Sequence, residues 1–463
     1  MRSVALLLLL TGCLAPRYNR PTAPVPDALP EQAQLAAWTT EGELDWRQTF
    51  RDPGLQRLIE SALANNRDLR ATALAVEEAQ VRLRLASSAL GPAVGLEASY
   101  THIGTPASVS PFGEAYTVTQ ARVGPTVSWE VDLFGRLRGE RRSAALGVLA
   151  SAEDVRAAEL ALIGQVATAA LQERVLAEQS ELARRTRDGR VEAADIVRLR
   201  VEAGVASELD LLQAQALVSS ADASVASLER ATEQAHNALV LLVGEDVPHQ
   251  PRSGASLDGL VALHVPAGLP SELLVRRPDV RAAEQRLIAA HADIGAARAA
   301  YLPSISLTAA PATASFSLTG LFQPGTLAWN VAAPTLTLPI FRWGQLRANE
   351  KGAKVARERA VAAYEGSIQQ AFREVADVLV ALPTVDTELQ ARTELAETQA
   401  ARHALASQQY EAGVTDYLSV LDAERDRFTA EQSAMDVRLQ QALLAVDLYR
   451  VLGGSAVREG EGA

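Results

Sequence analysis

The stretch of sequence that decides the fold is residues 119–135, which read TQARVGPTVSWEVDLFG. From Thr119 to Leu133 the odd-numbered positions are mostly apolar and the even-numbered positions are mostly polar. A period of two over about fifteen residues predicts a strand with one apolar and one polar face, longer than a typical soluble strand. Residues 94–103 alternate in the same way, so a β-hairpin is predicted over about residues 93–133.

A second, weaker hairpin is predicted over about residues 303–341. Alternating apolar positions continue from Ile305 to Ala309, but residues 327–340 change phase near Ala332. Such a phase change predicts a bulge or a bend in the returning strand.

The chain contains an internal duplication. Residues 68–71 (DLRA) match residues 279–282 (DVRA) at an offset of 211, and residues 202–205 (EAGV) return as residues 411–414 at an offset of 209. A third block between them, residues 125–138, matches residues 334–347 at the second offset. Three blocks that match in the same order indicate that the chain contains two copies of one unit. The period is too long for a solenoid repeat, so each copy is a large unit.

Each copy reads as helix, β-hairpin, long helix, helix, so the fold is predicted to be mainly α with a β part. Helical periodicity covers residues 54–90 and 278–301, and it resumes after each hairpin. From Arg136 to Ala203 the pattern contains no proline and only isolated glycines such as Gly189, and such a helix would be about 100 Å long. Its two apolar stripes suit a helix with a neighbour on each side, in a barrel of helices or in an antiparallel coiled coil. The stripes are Leu160, Ile163, Ala167 and Ala170, and Leu162, Val166 and Ala169.

The N-terminus has the pattern of an export signal. Residues 4–10 are apolar but too few to span a bilayer, and the following Leu10-Thr11-Gly12-Cys13 resembles a bacterial lipobox. We interpret residues 1–12 as a signal peptide and residues 13–50 as a proline-rich tether lipidated at Cys13. The alternative is an ordinary signal peptide with an incidental cysteine. Lipidation predicts a lipid-anchored protein, and Leu14, which is not an aspartate, gives no sign of an inner-membrane retention signal.

Composition argues against several classes of function. The formal charge of −12, without a basic cluster, disfavours a nucleic-acid partner. The single cysteine and the scattered histidines, none paired at metal-ligand spacing, predict no metal site, and the covalent lipid is the only non-protein group expected. No catalytic motif is recognisable, so an enzyme is not expected.

Four long strands imply an oligomer. Backbone groups in lipid must be paired, and the smallest outer-membrane barrels use eight strands, so other copies must complete the sheet. Alternation would direct polar side chains of residues 120–130 into a lumen. Aromatic side chains near the strands are candidates for the membrane interface: Tyr100, Trp129, Trp329 and Phe341.

Several motifs resemble the TolC-like outer-membrane efflux family, and more narrowly its OprM/NodT-type lipoprotein branch. They are the lipobox, DW at residues 45–46 before DP at 52–53, WEVDLFG at 129–135, and RPDVR at 277–281 before YLP at 301–303. The resemblance covers nearly the whole chain after the signal peptide. It implies a homotrimer with a twelve-strand β-barrel in the outer membrane and a twelve-helix α-barrel across the periplasm.

The resemblance also implies a function and partners. Such channels are passive conduits that work with a periplasmic adaptor and an inner-membrane pump, commonly of the resistance-nodulation-division type, and export drugs and other small molecules. The predicted domains are a first efflux repeat at residues 51–244, a linker at 245–269, a second repeat at 270–453 and a tail at 454–463.

The far ends of the long helices are the predicted docking tips. Gly135 and Gly344 close the two hairpins, and Gly204 and Gly413 follow them at one and the same spacing. Glycine suits a turn between helices because it tolerates a positive φ. In the family these turns meet the adaptor. The docking candidates are Gly204, Val205, Ala206, Gly413, Val414 and Thr415.

A pore constriction is predicted beside the tips. By the resemblance, Asp422 is the candidate for a ring of three carboxylates, and Tyr410 matches a latch tyrosine. The chain departs from the family pattern at Thr415 and Ser419, where an arginine and a second ring aspartate would be expected, so Asp210 is the candidate for a second ring. A solvated helix face is the alternative role for each acid.

Two other functions remain open on sequence grounds. A type I protein-secretion channel shares this fold, and cargo is not encoded in a recognisable motif. A non-conducting periplasmic scaffold or adaptor lipoprotein would also be helical and lipidated, but it needs no strands of membrane-spanning length.

Overall fold

The structure, a computed structural model, describes residues 18–25, 45–249, 277–330 and 334–454. The chain divides into two units. The sheet unit comprises Met1–Thr22, Leu74–Ala152 and Ala282–Glu365, and the helical unit comprises Ala23–Ala73, Glu153–Arg281 and Gly366–Ala463. The predicted signal peptide, Cys13, most of the tether and nearly all of the linker and tail lie outside the described residues.

The order of elements is helices, hairpin, two helices, and then the same series again. The first series is α1 (Trp46–Thr49), α2 (Pro53–Asn65), α3 (Arg67–Ser88), β1 (Ala93–Thr105), β2 (Tyr116–Val131), α4 (Arg136–Glu202) and α5 (Glu208–Val243). The second is α6 (Pro278–Ala299), β3 (Ser304–Ser315), β4 (Leu327–Asn330), β5 (Thr335–Thr337), α7 (Gln345–Glu411) and α8 (Tyr417–Val451).

Helix lengths confirm the internal duplication. Helices α3 and α6 are both 22 residues long, and their first residues stand at the offset of the first matching block. Helices α4 and α7 are both 67 residues long, and their first residues stand at the offset of the later blocks. The long helix predicted from Arg136 is observed, and Gly189 does not interrupt it.

The helix predicted over residues 54–90 is wrong in one respect, because it is two helices divided at Asn66. The backbone of Asn66 is extended, and its side-chain oxygen accepts a hydrogen bond from the Leu69 amide at 2.8 Å. Its side-chain nitrogen donates to the Leu242 carbonyl at 2.8 Å. Asn66 therefore caps the start of α3 and ties it to the end of α5.

The helical unit contains a large apolar cluster on α4. Both predicted stripes of α4 are buried there, which confirms that the helix is covered on two sides. Side chains of α1, α2, α5 and α8 complete the cluster, including Trp46 and Tyr449. Asp52 begins α2 by accepting hydrogen bonds from the amides of Gly54 and Leu55, with Pro53 at the first helical position.

The sheet is antiparallel, with the order β1-β2-β3-β4, and β5 pairs with the start of β3. Its register runs from Ala93 opposite Ser128 to Thr105 opposite Tyr116 in the first hairpin. Strands β2 and β3 approach so closely that a Cβ on Gly124 would lie 2.2 Å from the Pro311 carbonyl oxygen. Only glycine fits at that position.

The return strand of the second hairpin is observed as two short strands. It is divided into β4, which pairs with the end of β3, and β5, which pairs with its beginning. The phase change near Ala332 lies outside the described residues. Of the predicted interfacial aromatics, Tyr100, Trp129 and Phe341 are exposed. In the described part of the chain no helix is both long and apolar enough to cross a membrane.

The motif at residues 129–135 joins the sheet to the long helix. The Trp129 indole donates to the Leu90 carbonyl at the end of α3, at 2.9 Å. The Asp132 carboxylate accepts from the amides of Leu137 and Arg138 and so caps α4. These contacts fix the direction in which α4 leaves the hairpin.

Candidate gate and docking tips

The predicted docking tips are two copies of one turn. The Val205 amide donates to the Arg200 carbonyl at 2.9 Å, and the Gly204 amide donates to the Val201 carbonyl at 2.9 Å. This pattern is a Schellman motif, which ends a helix with a left-handed residue, and Gly204 has a φ of +78°.

The second tip repeats these bonds on α7. The Val414 amide donates to the Gln409 carbonyl at 2.8 Å, the Gly413 amide donates to the Tyr410 carbonyl at 3.0 Å, and Gly413 has a φ of +72°. Two turns of the same geometry, at matching positions in the two repeats, agree with the duplicated sequence.

Each tip presents an exposed valine. In many Schellman motifs the residue after the glycine packs on the last turn of the helix, but here both valines are exposed. Val205 is 75% exposed and Val414 is 73% exposed. The next residues, Ala206 and Thr415, are half-buried. Apolar side chains at both tips thus remain available for contact.

The helices that follow the tips are capped by the same pair of residue types in exchanged positions. Ser207 begins α5, its hydroxyl accepts from the Asp210 amide at 3.1 Å, and Asp210 accepts from the Ser207 amide at 3.1 Å. Asp416 begins α8 and accepts from the Ser419 amide at 3.0 Å and the Ser419 hydroxyl at 2.7 Å. Asp210 therefore has a structural role as part of a capping box.

Sequence reasoning missed Asp416, the carboxylate at the second tip. The hydrogen bonds from Ser419 hold the pKa of Asp416 below its usual range. The carboxylate is therefore ionised at neutral pH. The sequence did contain a signal for this role, because an aspartate three residues before a serine is typical of the start of a helix.

The four helix ends meet in a small apolar cluster beneath the tips. Val197, Ala214 and Tyr417 are buried in it, and Tyr410 packs against them. Burial raises the pKa of Tyr417 to about 12. The cluster joins α4, α5, α7 and α8, so the two tips lie at one end of the helical unit.

Tyr410, the predicted latch residue, bridges two helices. Its ring centre lies 4.6 Å from the guanidinium carbon of Arg200 on α4 and 5.2 Å from the ring centre of Tyr417. A guanidinium at this distance is attracted to the face of a tyrosine ring. This contact links the end of α4 to the end of α7.

A buried ion pair lies below this cluster. Arg190 of α4 contacts both carboxylate oxygens of Glu424 on α8, at 2.9 and 3.1 Å, and donates to the Leu217 carbonyl of α5 at 3.1 Å. The Arg190 side chain is only 8% exposed. The pair fixes three helices relative to one another, and no local motif in the sequence pointed to it.

Asp422, the main gate candidate, is on the open face of α8. Its carboxylate is 45% exposed and lies 3.3 Å from the Arg425 guanidinium, one turn further along the helix. An exposed ion pair of this kind contributes little to stability. The charge at Asp422 is thus not required to hold the helix.

Comparison with known proteins identifies the family of the chain. The family model of the outer membrane efflux protein matches residues 58–245 and 269–454. The toluene efflux pump outer membrane protein TtgF of Pseudomonas putida is 44% identical over 98% of this chain and 96% of its own length. The outer membrane protein OprJ of Pseudomonas aeruginosa is 41% identical over 97% of this chain and 95% of its own.

A solved structure has the same fold. The open state of the MtrE outer membrane channel of Neisseria gonorrhoeae superposes with a TM-score of 0.83 at 35% identity, covering 95% of this chain and 98% of that one. Efflux proteins thus match both repeats and nearly the full length. Their names favour efflux over the two other functions that the sequence left open.

Proposed function

Since the chain belongs to the outer membrane efflux protein family, it is the outer-membrane component of an efflux system, and we propose that three copies form one continuous conduit. The protein is a channel component and not an enzyme. Its system includes a periplasmic adaptor and an inner-membrane pump. We assign the pump to the resistance-nodulation-division type on the resemblance of the motifs.

The edges of the sheet support the trimer. Within the described residues β1 pairs only with β2, so one side of β1 has free backbone groups, and its apolar residues Val94 and Leu96 are exposed. An open edge cannot remain in lipid, because each unpaired backbone group there costs several kcal/mol. Pairing with the far edge of another copy satisfies both edges, and three sheets close a barrel.

The observation that carries the proposal is the pair of matched tips. Both turns lie at one end of the helical unit and both expose a valine. We propose that the periplasmic adaptor docks there, with Val205 and Val414 in apolar pockets and the neighbouring Gly204, Ala206, Gly413 and Thr415 shaping the contact. Because the two turns share one geometry, an adaptor can bind both of them through the same kind of contact.

The gate is proposed to lie beside the tips. Three copies of Asp422 around a threefold axis would form a carboxylate ring, which attracts cations. In each copy the carboxylate lies 3.3 Å from the Arg425 guanidinium of its own helix. Asp210 and Asp416 add charge at the tips, and Tyr410 with Arg200 links α7 to α4 as the latch.

Anchor and cargo complete the proposal. The lipobox supports a lipid on Cys13 that holds the chain at the outer membrane. Relatives named for toluene and solvent efflux favour small organic molecules as cargo.

The test is single-channel conductance of the purified full chain in planar bilayers, with Asp422→Asn compared with the wild type. We expect discrete cation-preferring steps for the wild type and a lower cation-to-anion permeability ratio for the variant. Asp447→Asn is the matched control, because Asp447 lies on the same helix, is 47% exposed and contacts Arg450 three residues on at 3.4 Å.

Each outcome decides one part of the proposal. Equal selectivity of Asp422→Asn and the wild type would remove Asp422 from the gate and keep the channel. A change that Asp447→Asn reproduces would assign it to general surface charge. Absence of steps from a membrane-inserted trimer, in Asp422→Asn as in the wild type, would contradict the conduit.

A further inference from the structure

The helical unit contains a group of metal-binding residue types that lies apart from the gate and the tips. Glu173 of α4, His236 of α5 and His249, a little beyond the end of α5, each present one ligand atom, and these atoms lie within 4.8 Å of one another. Glu173 and His236 are buried, whereas His249 is exposed. The glutamate is distant in sequence from both histidines, so the spacing of the histidines gave no sign of the group.

The distances in the group are short. The Nδ1 atom of His236 lies 2.9 Å from Oε1 of Glu173, and Nδ1 of His249 lies 3.9 Å from the same oxygen. The two imidazole rings have centres only 3.9 Å apart. Ligand atoms around a tetrahedral zinc ion are about 3.3 Å apart, so small side-chain rotations convert this arrangement into a metal site.

A second observation points to a ligand. The other carboxylate oxygen of Glu173, Oε2, is buried and has no hydrogen-bond partner among the described residues. A buried carboxylate oxygen without a partner is costly, and such atoms in native proteins commonly face a water or an ion. Oε2 of Glu173 thus has a lone pair that accepts no hydrogen bond from the described residues, and it lies beside two imidazole rings.

We propose that Glu173, His236 and His249 bind one divalent transition-metal ion, with zinc as the best fit. Two imidazoles and a carboxylate are a ligand set that zinc takes readily. Glu233 stands beside the site, with Oε2 3.7 Å from Nε2 of His249, and it or a water fills the fourth position. The ion neutralises the buried carboxylate and fixes the segment after α5 against α4.

The site has a structural consequence that can be measured. Val247, two residues before His249, is buried in the apolar cluster of the helical unit. A metal that holds His249 also holds this segment in place, and an ion that binds only the folded chain raises its stability.

The test is zinc binding by the full chain in detergent after treatment with a chelator. Titration of Zn²⁺ against a chromophoric chelator should give one tight site per chain, and Zn²⁺ should raise the unfolding temperature. His249→Ala and Glu173→Gln should each weaken binding at least about tenfold and abolish the temperature shift. His102→Ala, which removes an exposed histidine from β1, is the control and should bind like the wild type.

Co²⁺ supplies a second reading. The wild type should show the visible absorption bands of a tetrahedral cobalt site, and His249→Ala should lose them. His249 is exposed, so this variant folds even where Glu173→Gln does not. The proposal is overturned by a wild type without stoichiometric binding. It is equally overturned by a His249→Ala variant that retains wild-type affinity, because Glu173 and His236 would then be only a buried hydrogen-bonded pair.

Discussion

At the scale of single residues, Arg190 and Glu424 determine how the tip helices are held. Both side chains are largely removed from water, and Arg190 also satisfies the Leu217 carbonyl. Loss of one partner of a buried pair leaves an uncompensated charge, which costs far more than the pair itself contributes. The pair therefore specifies the arrangement of α4, α5 and α8 more than it stabilises the fold.

We expect Glu424→Gln to lower the free energy of unfolding by about 3 kcal/mol, since Arg190 keeps its charge in a buried place. Asp195→Asn is the control on α4, because Asp195 pairs with Arg198 in an exposed position and should change stability by less than about 1 kcal/mol. Denaturant unfolding of the detergent-solubilised chain measures both. Equal effects of the two variants would show that burial of the Arg190 pair is unimportant.

At the scale of elements, the two glycines of the tips end the long helices. Their positive φ angles place them where a side chain is strained, although a Cβ at Gly413 would meet no neighbouring atom. Gly352 offers a contrast, because it lies within α7 and also has open space around it. Because neither position is crowded, a difference in stability between their alanine variants reports the backbone conformation and not a steric clash.

Gly413→Ala should lower the unfolding free energy by about 1 kcal/mol, because an L-residue in the left-handed region is strained. Gly352→Ala should raise it by about 1 kcal/mol, because alanine favours a helix interior. Thermal unfolding followed by circular dichroism compares them. If both variants shift the midpoint in the same direction, the turn at Gly413 is not fixed by its φ angle.

Elements were more predictable from the sequence than contacts between them. Apolar periodicity and the two offsets predict the long helices and their tips, because both signals are local or repeated. The division at Asn66 was missed, since an asparagine that caps a new helix resembles one inside a helix. The contacts of Tyr410 with Arg200, and of Arg190 with Glu424, join residues of different repeats, and packing alone brings them together.

At the scale of the whole molecule, export depends on the tips and not on the pore alone. The double variant Val205→Asp and Val414→Asp should lose pump-dependent export in cells, because charge in an apolar pocket prevents docking. The purified variant should still form discrete conducting channels in bilayers. Drug susceptibility of a strain lacking the native gene measures the first effect, and planar bilayers measure the second.

The control is Val109→Asp, which changes a valine of similar exposure between β1 and β2. It should leave export intact. Full export by the double variant would mean that the adaptor does not contact these turns, and loss of its conductance would mean that the valines support the pore itself.

Serine and aspartate exchange places between the caps of α5 and α8, so one protomer carries one backbone shape twice with its negative charge displaced by three residues. A ligand that recognises only the shape of a turn meets two nearly equivalent sites in each protomer, whereas a ligand that recognises charge distinguishes the turn before α5 from the turn before α8. In the proposed trimer the turns alternate around the axis. The ring of tips then has nearly sixfold symmetry in its shape but threefold symmetry in its charge. Both symmetries follow from the four capping side chains of each copy, Ser207, Asp210, Asp416 and Ser419.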